Sequence, residues 1–493
     1  MDHNKIKDNW LYIPIIIIVL FFIYVLFNLS NIINFFPLDK TSDLTSHMAQ
    51  LHFLKIYGFH NLVPNWYNGY ILFESYTPGW FFVTLPLYQL IDNLYVTAFI
   101  SIILLYLVGF IAMFYLGKIE RFSLTKRVAF FLLFFANPVA VGNFVRVGKL
   151  PELMGWIIFI LIFLLINHYR EQKIDRLFVI LLTILLSLAI LTYTPIFILT
   201  FISFSYFFYK RGFTDKIKIL ISFLISILIT SFWWIPYFFN TINVNVHPYL
   251  ITIAMFIKEF YGDIIVSFIA PAMLFFIVYL YYKGEQKEEI KYYLPVLVLA
   301  ILIFTRLAIL IPYLNMIHAD TYNFLFIFFS IYLLFKFKIR ESYYKNVKYL
   351  IVYLLPLIVI LGILVYAITV PSVKPYTELD KETISLFPYV SERMLILKNP
   401  QQNFKPLYSY ASIYYNITTA SGWLPEVLSI PDTKKMENLT FFLEKMNCDE
   451  IKQSLNYFNV SEIITYDKYC DTMASCGLNR KILKDRICLY TLK

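Results

Sequence analysis

Long apolar runs, each broken by a short polar segment, recur from the N-terminus to about residue 370. The first, about Leu11 to Phe36, is long enough to cross a bilayer, because about 20 helical residues at 1.5 Å each cover the hydrocarbon core. Inside the bilayer no water satisfies a backbone N–H, so such runs are confined to helices. The chain of 493 residues is 59% hydrophobic and 15% charged, with mean hydropathy +0.67, more apolar than soluble domains allow. Its 49 Phe and 40 Tyr fit Phe facing lipid and Tyr in interfacial belts.

Charge placement orients the runs. Between residues 1 and 370, 21 Lys and Arg fall in one set of alternate loops and six in the other. Cationic loops stay cytoplasmic. The N-terminus, with Lys5 and Lys7, is therefore expected inside, and Pro37 to Trp80 outside. The net charge of +10 reports this topology and does not point to a nucleic-acid partner. The runs give about eleven crossings, an odd number, with the last at about Tyr349 to Val370 and the C-terminus outside. The stretch Trp80 to Leu90 is short, contains Pro86 and reads as interfacial or re-entrant. The first run reads as a retained span, not a cleaved signal. No Walker loop, GxGxxG or zinc-type Cys spacing is present.

The outer loop 37–80 is the most functional-looking stretch. Thr41 or Ser42 is a candidate N-cap, which sets Asp43 in the first turn of a helix. Asp43, His47 and Gln50 then share one face, expected to be aqueous, and Leu44, Met48 and Leu51 the other. Two readings stay open: a catalytic carboxylate and imidazole, or an acid that favours the helix dipole beside a solvated His. Across the outer loops the polar candidates are Asp43, His47, Glu74, Arg146, Lys149, Glu152, His247, His318 and Asp320. Carboxylates suit acid or base work and cations suit a phosphate. Such a set beside a membrane suits a substrate with a lipid tail and a charged head. Arg146 and Lys149 equally suit lipid headgroups. His318 and Asp320 also read as loop solvation. Trp233 and Trp234 read as interfacial anchors.

The tail from Pro371 to Lys493 differs in composition. It holds all four cysteines, Cys448, Cys470, Cys476 and Cys488, which suggests disulfides in an oxidising space. Sequence does not choose among the three pairings. It also holds three glycosylation sequons, at Asn416, Asn438 and Asn459. Strand-like runs at Glu462–Asp467 and Ile487–Leu492, with a helical stretch at Phe441–Tyr457, predict a small α/β or α+β domain. The expected division is a membrane domain over 1–370 and an extracytoplasmic domain over 371–493.

SDLTSHMAQLHFLKIYG, followed by PNWYNGYILFESYTPGWFFVTLPLY, resembles the first outer loop of the GT-C superfamily of polyprenyl-phosphate-dependent glycosyltransferases. More narrowly it is similar to the archaeal and bacterial membrane proteins called 6-pyruvoyl-tetrahydropterin synthase-related. NPVAVG at Asn137–Gly142 and FWWIP at Phe232–Pro236 also look similar, so the resemblance runs over nearly the whole chain. It implies inverting transfer of a sugar from a polyprenyl-phosphate carrier to a glycan, lipid or protein acceptor on the outer face. Asp43 would act as base or as ligand to a divalent cation, Mg or Mn, with His47 orienting it or touching substrate. Arg146 and Lys149 would meet the donor phosphate, and Glu74, Glu152, His318 and Asp320 would line the substrate. Many members carry an acidic pair in the second outer loop, where this chain has only Glu152, and many carry an Arg near the late outer loop, where the nearest here is Arg306. The alternatives are a lipid-carrier flippase or transporter, and a non-catalytic envelope protein whose outer domain binds a partner.

Overall fold

The structure, a computed structural model, describes residues 12–39, 43–243, 268–283, 287–336, 358, 360–362, 373, 375–402, 404–423 and 430–492. Lys5, Lys7, Thr41, Ser42, His247 and nearly all of the last expected crossing lie outside the described residues. The chain divides into two compact units. The first takes Met1–Asn28, Ile102–Ser231 and Pro248–Ser372; the second takes Leu29–Ser101, Phe232–His247 and Val373–Lys493.

The first unit is helical. Its centre is the pair Leu150–His168 and Ala319–Lys336, both buried almost all round, as an apolar helix must be when no face meets solvent. Aromatic rings lock them: the Phe163 and Tyr332 ring centroids lie 4.9 Å apart, and those of Trp156 and Phe324 5.8 Å. At one end of this core the Tyr332 hydroxyl donates to Glu120 at 2.7 Å, and Lys336 pairs with Glu120 at 2.9 Å. The Phe213–Ile229 helix is the opposite case. It exposes Leu220, Leu224 and Leu228 and buries Ser222 and Ser226, the pattern of a lipid-facing helix that meets its neighbour through small residues.

By length and composition three described helices can cross a membrane: Tyr12–Ile33, Leu94–Ile119 and Leu150–His168. Five can if two bent pairs each count as one span. One bend, of 47°, falls between Leu124–Phe135 and Pro138–Val147. Its cause is local. Pro138 cannot donate to the helix, and Asn137 caps the new turn by accepting from the Ala140 N–H at 3.0 Å. Shorter apolar helices such as Gly79–Ile91 and Arg176–Thr192 account for further runs that the sequence reads as crossings or interfacial stretches. These helices support a membrane location; the expected count of eleven rests in part on residues outside those described.

Among its described residues the second unit contains two sheets. β1 (Leu62–Val63) and β2 (Tyr70–Ile71) form a small antiparallel ribbon. β3 (Met394–Ile396), β4 (Glu462–Tyr466), β5 (Asn479–Lys484) and β6 (Ile487–Thr491) form a sheet in the order β3–β4–β6–β5. β3 is parallel to β4, and the other pairs are antiparallel. Every residue of β4 is buried. The expected helix at Phe441–Tyr457 is two, Ile430–Glu444 and Cys448–Tyr457. The break comes where Met446 takes φ 53° and Asn447 caps the second by accepting from the Glu450 N–H. Disulfides Cys448–Cys476 and Cys470–Cys488 fix the pairing that sequence left open.

Candidate functional site

Asp43 occupies the N-cap position of the Leu44–Tyr57 helix and is half-buried. It makes no side-chain cap bond to that helix. One of its carboxylate oxygens, Oδ1, accepts from the Trp423 indole N–H at 3.3 Å. A carboxylate at this end of a helix is also favoured by the dipole. The rest of the helix corrects the expected amphipathic split. It packs against both Gly79–Ile91 and Phe404–Tyr415, so both of its sides are covered.

His47 therefore does not face water. It is 3% exposed, with its ring centroid 5.9 Å from Tyr76, 6.0 Å from Trp80 and 5.9 Å from Phe81. Burial lowers its pKa to about 3, so the imidazole is neutral, and its Nδ1 has no hydrogen-bond partner among the described residues. A neutral imidazole cannot supply the cation that a phosphate would need. The depressed pKa has a consequence for stability. The unfolded chain binds a proton near ~6.5 and the folded one does not, so stability is present above that value and is lost as pH falls from ~6.5 towards the folded pKa. The expected slope is at most about 1.4 kcal/mol per pH unit. Thermal melts of the detergent-solubilised chain between pH 7.5 and 4.5 read it, and His47→Phe is expected to flatten that slope. An unchanged slope in the variant would show that His47 does not cause it.

Glu74 follows β2 and is half-buried; burial raises its carboxyl above the usual range. Trp233 is a second correction. It is 2% exposed, not an interfacial anchor, and its indole N–H donates to the carbonyls of Phe73 at 3.1 Å and Tyr76 at 3.0 Å. It thus holds the backbone on either side of Glu74.

The remaining candidates belong to the first unit. The expected outer loop from Gly142 to Glu152 is not open. Val141–Val147 forms a π-helical stretch, an insertion that often marks functional segments. Gly148 ends it at φ 75°, a conformation that suits glycine. Arg146 lies in the stretch, and its Nε is buried with no hydrogen-bond partner among the described residues. Lys149 pairs with Asp320 at 3.4 Å. Glu152, 3% exposed, accepts from the Thr321 hydroxyl at 2.9 Å, and that hydroxyl lies 3.0 Å from the Tyr193 hydroxyl. The fold thus gathers Lys149, Glu152 and Asp320, and joins Thr321 and Tyr193 to them, which sequence reasoning missed. His318 lies exposed just before the Ala319–Lys336 helix.

Among the described residues no group of three or more His, Cys, Asp or Glu could hold a metal ion. The divalent cation implied by resemblance has no ready ligand set there, and the chemistry below is derived without it. Asn416, Asn438 and Asn459 are all exposed.

No protein-family model matches the chain, and no curated protein matches it in sequence. Solved structures do match in fold. The Archaeoglobus fulgidus oligosaccharyltransferase, in a complex with Zn and sulfate, aligns with TM-score 0.55 and 9% identity over 90% of this chain and 68% of its own. The arabinofuranosyltransferase AftD from Mycobacteria aligns with TM-score 0.56 and 12% identity, covering 98% of this chain but 40% of its own. ArnT from Cupriavidus metallidurans aligns with TM-score 0.52 and 11% identity over 96% of this chain and 97% of its own. The chain is thus similar in fold to an oligosaccharyltransferase, an arabinofuranosyltransferase and ArnT, and spans two-fifths of the longer AftD chain.

Proposed function

We propose that this chain is a GT-C-type membrane glycosyltransferase that moves a sugar from a polyprenyl-phosphate carrier to an acceptor on the outer face of the membrane. The observation that carries the reading is the likeness in fold to such transferases over nine-tenths or more of the chain. The disulfides of the tail support an oxidising, extracytoplasmic side for it. The charge bias supports a cytoplasmic N-terminus.

The proposed step is a single displacement. An acceptor hydroxyl attacks the anomeric carbon, the bond from that carbon to the phosphate oxygen breaks, and polyprenyl phosphate leaves with the bonding pair. Attack opposite the leaving group inverts the anomeric centre. The Asp43 carboxylate takes the hydroxyl proton as the new bond forms. Negative charge gathers on the departing phosphate, where a cation stabilises it. Arg146 and Lys149 are the proposed donors of that charge, Lys149 sharing its ammonium with Asp320. Glu74, Glu152, His318 and Asp320 remain proposed substrate contacts, and His47 packs beneath the loop as a neutral group.

The test is turnover of labelled polyprenyl-phosphate sugars by the full chain in vesicles. Release of polyprenyl phosphate together with a glycosylated product supports the reading. Movement of the intact lipid across the bilayer without bond cleavage would replace it with a flippase.

A further inference from the structure

The segment Asn416–Trp423 is stitched into the second unit on both sides. Towards the loop, the Asn65 carbonyl accepts from the Thr419 N–H at 2.8 Å and from the Thr419 hydroxyl at 2.9 Å. The Asn65 side-chain amide donates to Asn416 Oδ1 at 3.1 Å. Towards the sheet, the Met394 N–H donates to the Thr418 carbonyl at 2.9 Å, and the Ala420 N–H to the Met394 carbonyl at 3.1 Å. Gly422 lies flat on the fully buried Trp66. A Cβ there would fall 2.8 Å from Trp66 Cγ and 2.9 Å from Tyr67 Cε2, closer than carbon atoms approach. Only a residue without a side chain lets the backbone run this close. The next residue is Trp423, whose buried indole delivers its N–H to Asp43, while Lys405 Nζ stands 5.8 Å over the same ring.

We propose that Trp423 is a positioning residue for the Asp43 carboxylate, and that the strap Asn416–Trp423 makes the C-terminal segment part of the reaction machinery. This rests on the reading of Asp43 as the base. An indole N–H has one direction and carries no charge. Donated to one carboxylate oxygen, it fixes the rotamer of the carboxylate. It also favours the ionised form, the one a base needs. Because Gly422 and Thr419 set the height and angle of the indole, displacement of the strap is felt at the carboxylate.

Trp423→Phe removes the donor and keeps an aromatic ring. In the full chain, with polyprenyl-phosphate-linked glucose, mannose and arabinofuranose as probes, kcat is expected to fall roughly 10- to 100-fold with KM little changed. The acid limb of the pH–rate profile is expected to move to higher pH, because the bond that favours the ionised form is gone. Trp423→His, which restores a ring N–H, is expected to recover part of kcat. Gly422→Ala leaves the indole in the sequence but lifts the strap, and is expected to lower kcat likewise. A readout that needs no substrate is carbodiimide-driven amidation of Asp43, followed by peptide mass spectrometry. It is expected to quicken several-fold in Trp423→Phe and slow again in Trp423→His. Unchanged kcat, acid limb and amidation rate in Trp423→Phe, with Asp43→Asn inactive, would overturn the positioning role alone. An active Asp43→Asn would overturn the base assignment and this proposal with it.

Discussion

With Asp43 as the proposed base, Asp43→Asn is expected to lower transfer from polyprenyl-phosphate donors by a factor of about 10² to 10⁴, the usual contribution of a positioned acid–base group. That is about 3–5 kcal/mol of barrier. The loss is expected in kcat, because the carboxylate acts on a proton that moves only as the new bond forms. The variant is a clean one. No side-chain cap bond is lost, since Asp43 makes none, and the Asn side-chain oxygen can still accept from the Trp423 indole, which holds Asp43 at 3.3 Å in the parent. The melting temperature and both disulfides should be unchanged. A variant that folds normally and keeps parental turnover would remove Asp43 from the mechanism.

The second large effect is on stability. Replacing Cys470 and Cys488 together by Ser is expected to destabilise the second unit by about 3 kcal/mol. The Cys470–Cys488 bond ties the Lys468–Ser475 helix to β6, and Cys448–Cys476 ties the head of the Cys448–Tyr457 helix to the residue that ends Lys468–Ser475. Each closes a loop of modest length, 18 and 28 residues, so neither bond alone accounts for the fold. The measurement is the guanidinium concentration at which the tail of the intact membrane protein becomes open to protease. A midpoint equal to that of the parent would mean that burial of β4 and β6 suffices without the bond.

What sequence revealed depended on whether the determining interactions were local. Apolar runs and the strands around Glu462 and Ile487 are written in neighbouring residues, so they were legible. The face of the Leu44–Tyr57 helix was not. Amphipathic reasoning assumes one wet side, and this helix is covered on both by Gly79–Ile91 and Phe404–Tyr415. His47 was assigned to water for that reason and is buried. Trp233 fitted the pattern of an interfacial belt, yet its N–H is spent on two loop carbonyls. Trp423 gave no signal at all: it lies 380 residues from Asp43, and no spacing rule connects them. The start of the helix at Asp43 was legible because it directly follows a span, although the N-cap is Asp43 itself and not Thr41 or Ser42.

The central claim is that this chain cuts a sugar from a lipid phosphate. The most direct measurement is proton NMR of the product formed when the purified full chain, in vesicles, meets a polyprenyl-phosphate sugar of known anomeric configuration and a hydroxyl acceptor. The account predicts a new glycoside of opposite configuration and one polyprenyl phosphate released for each. Donor recovered intact with every sugar tested, or a product of retained configuration, would contradict it.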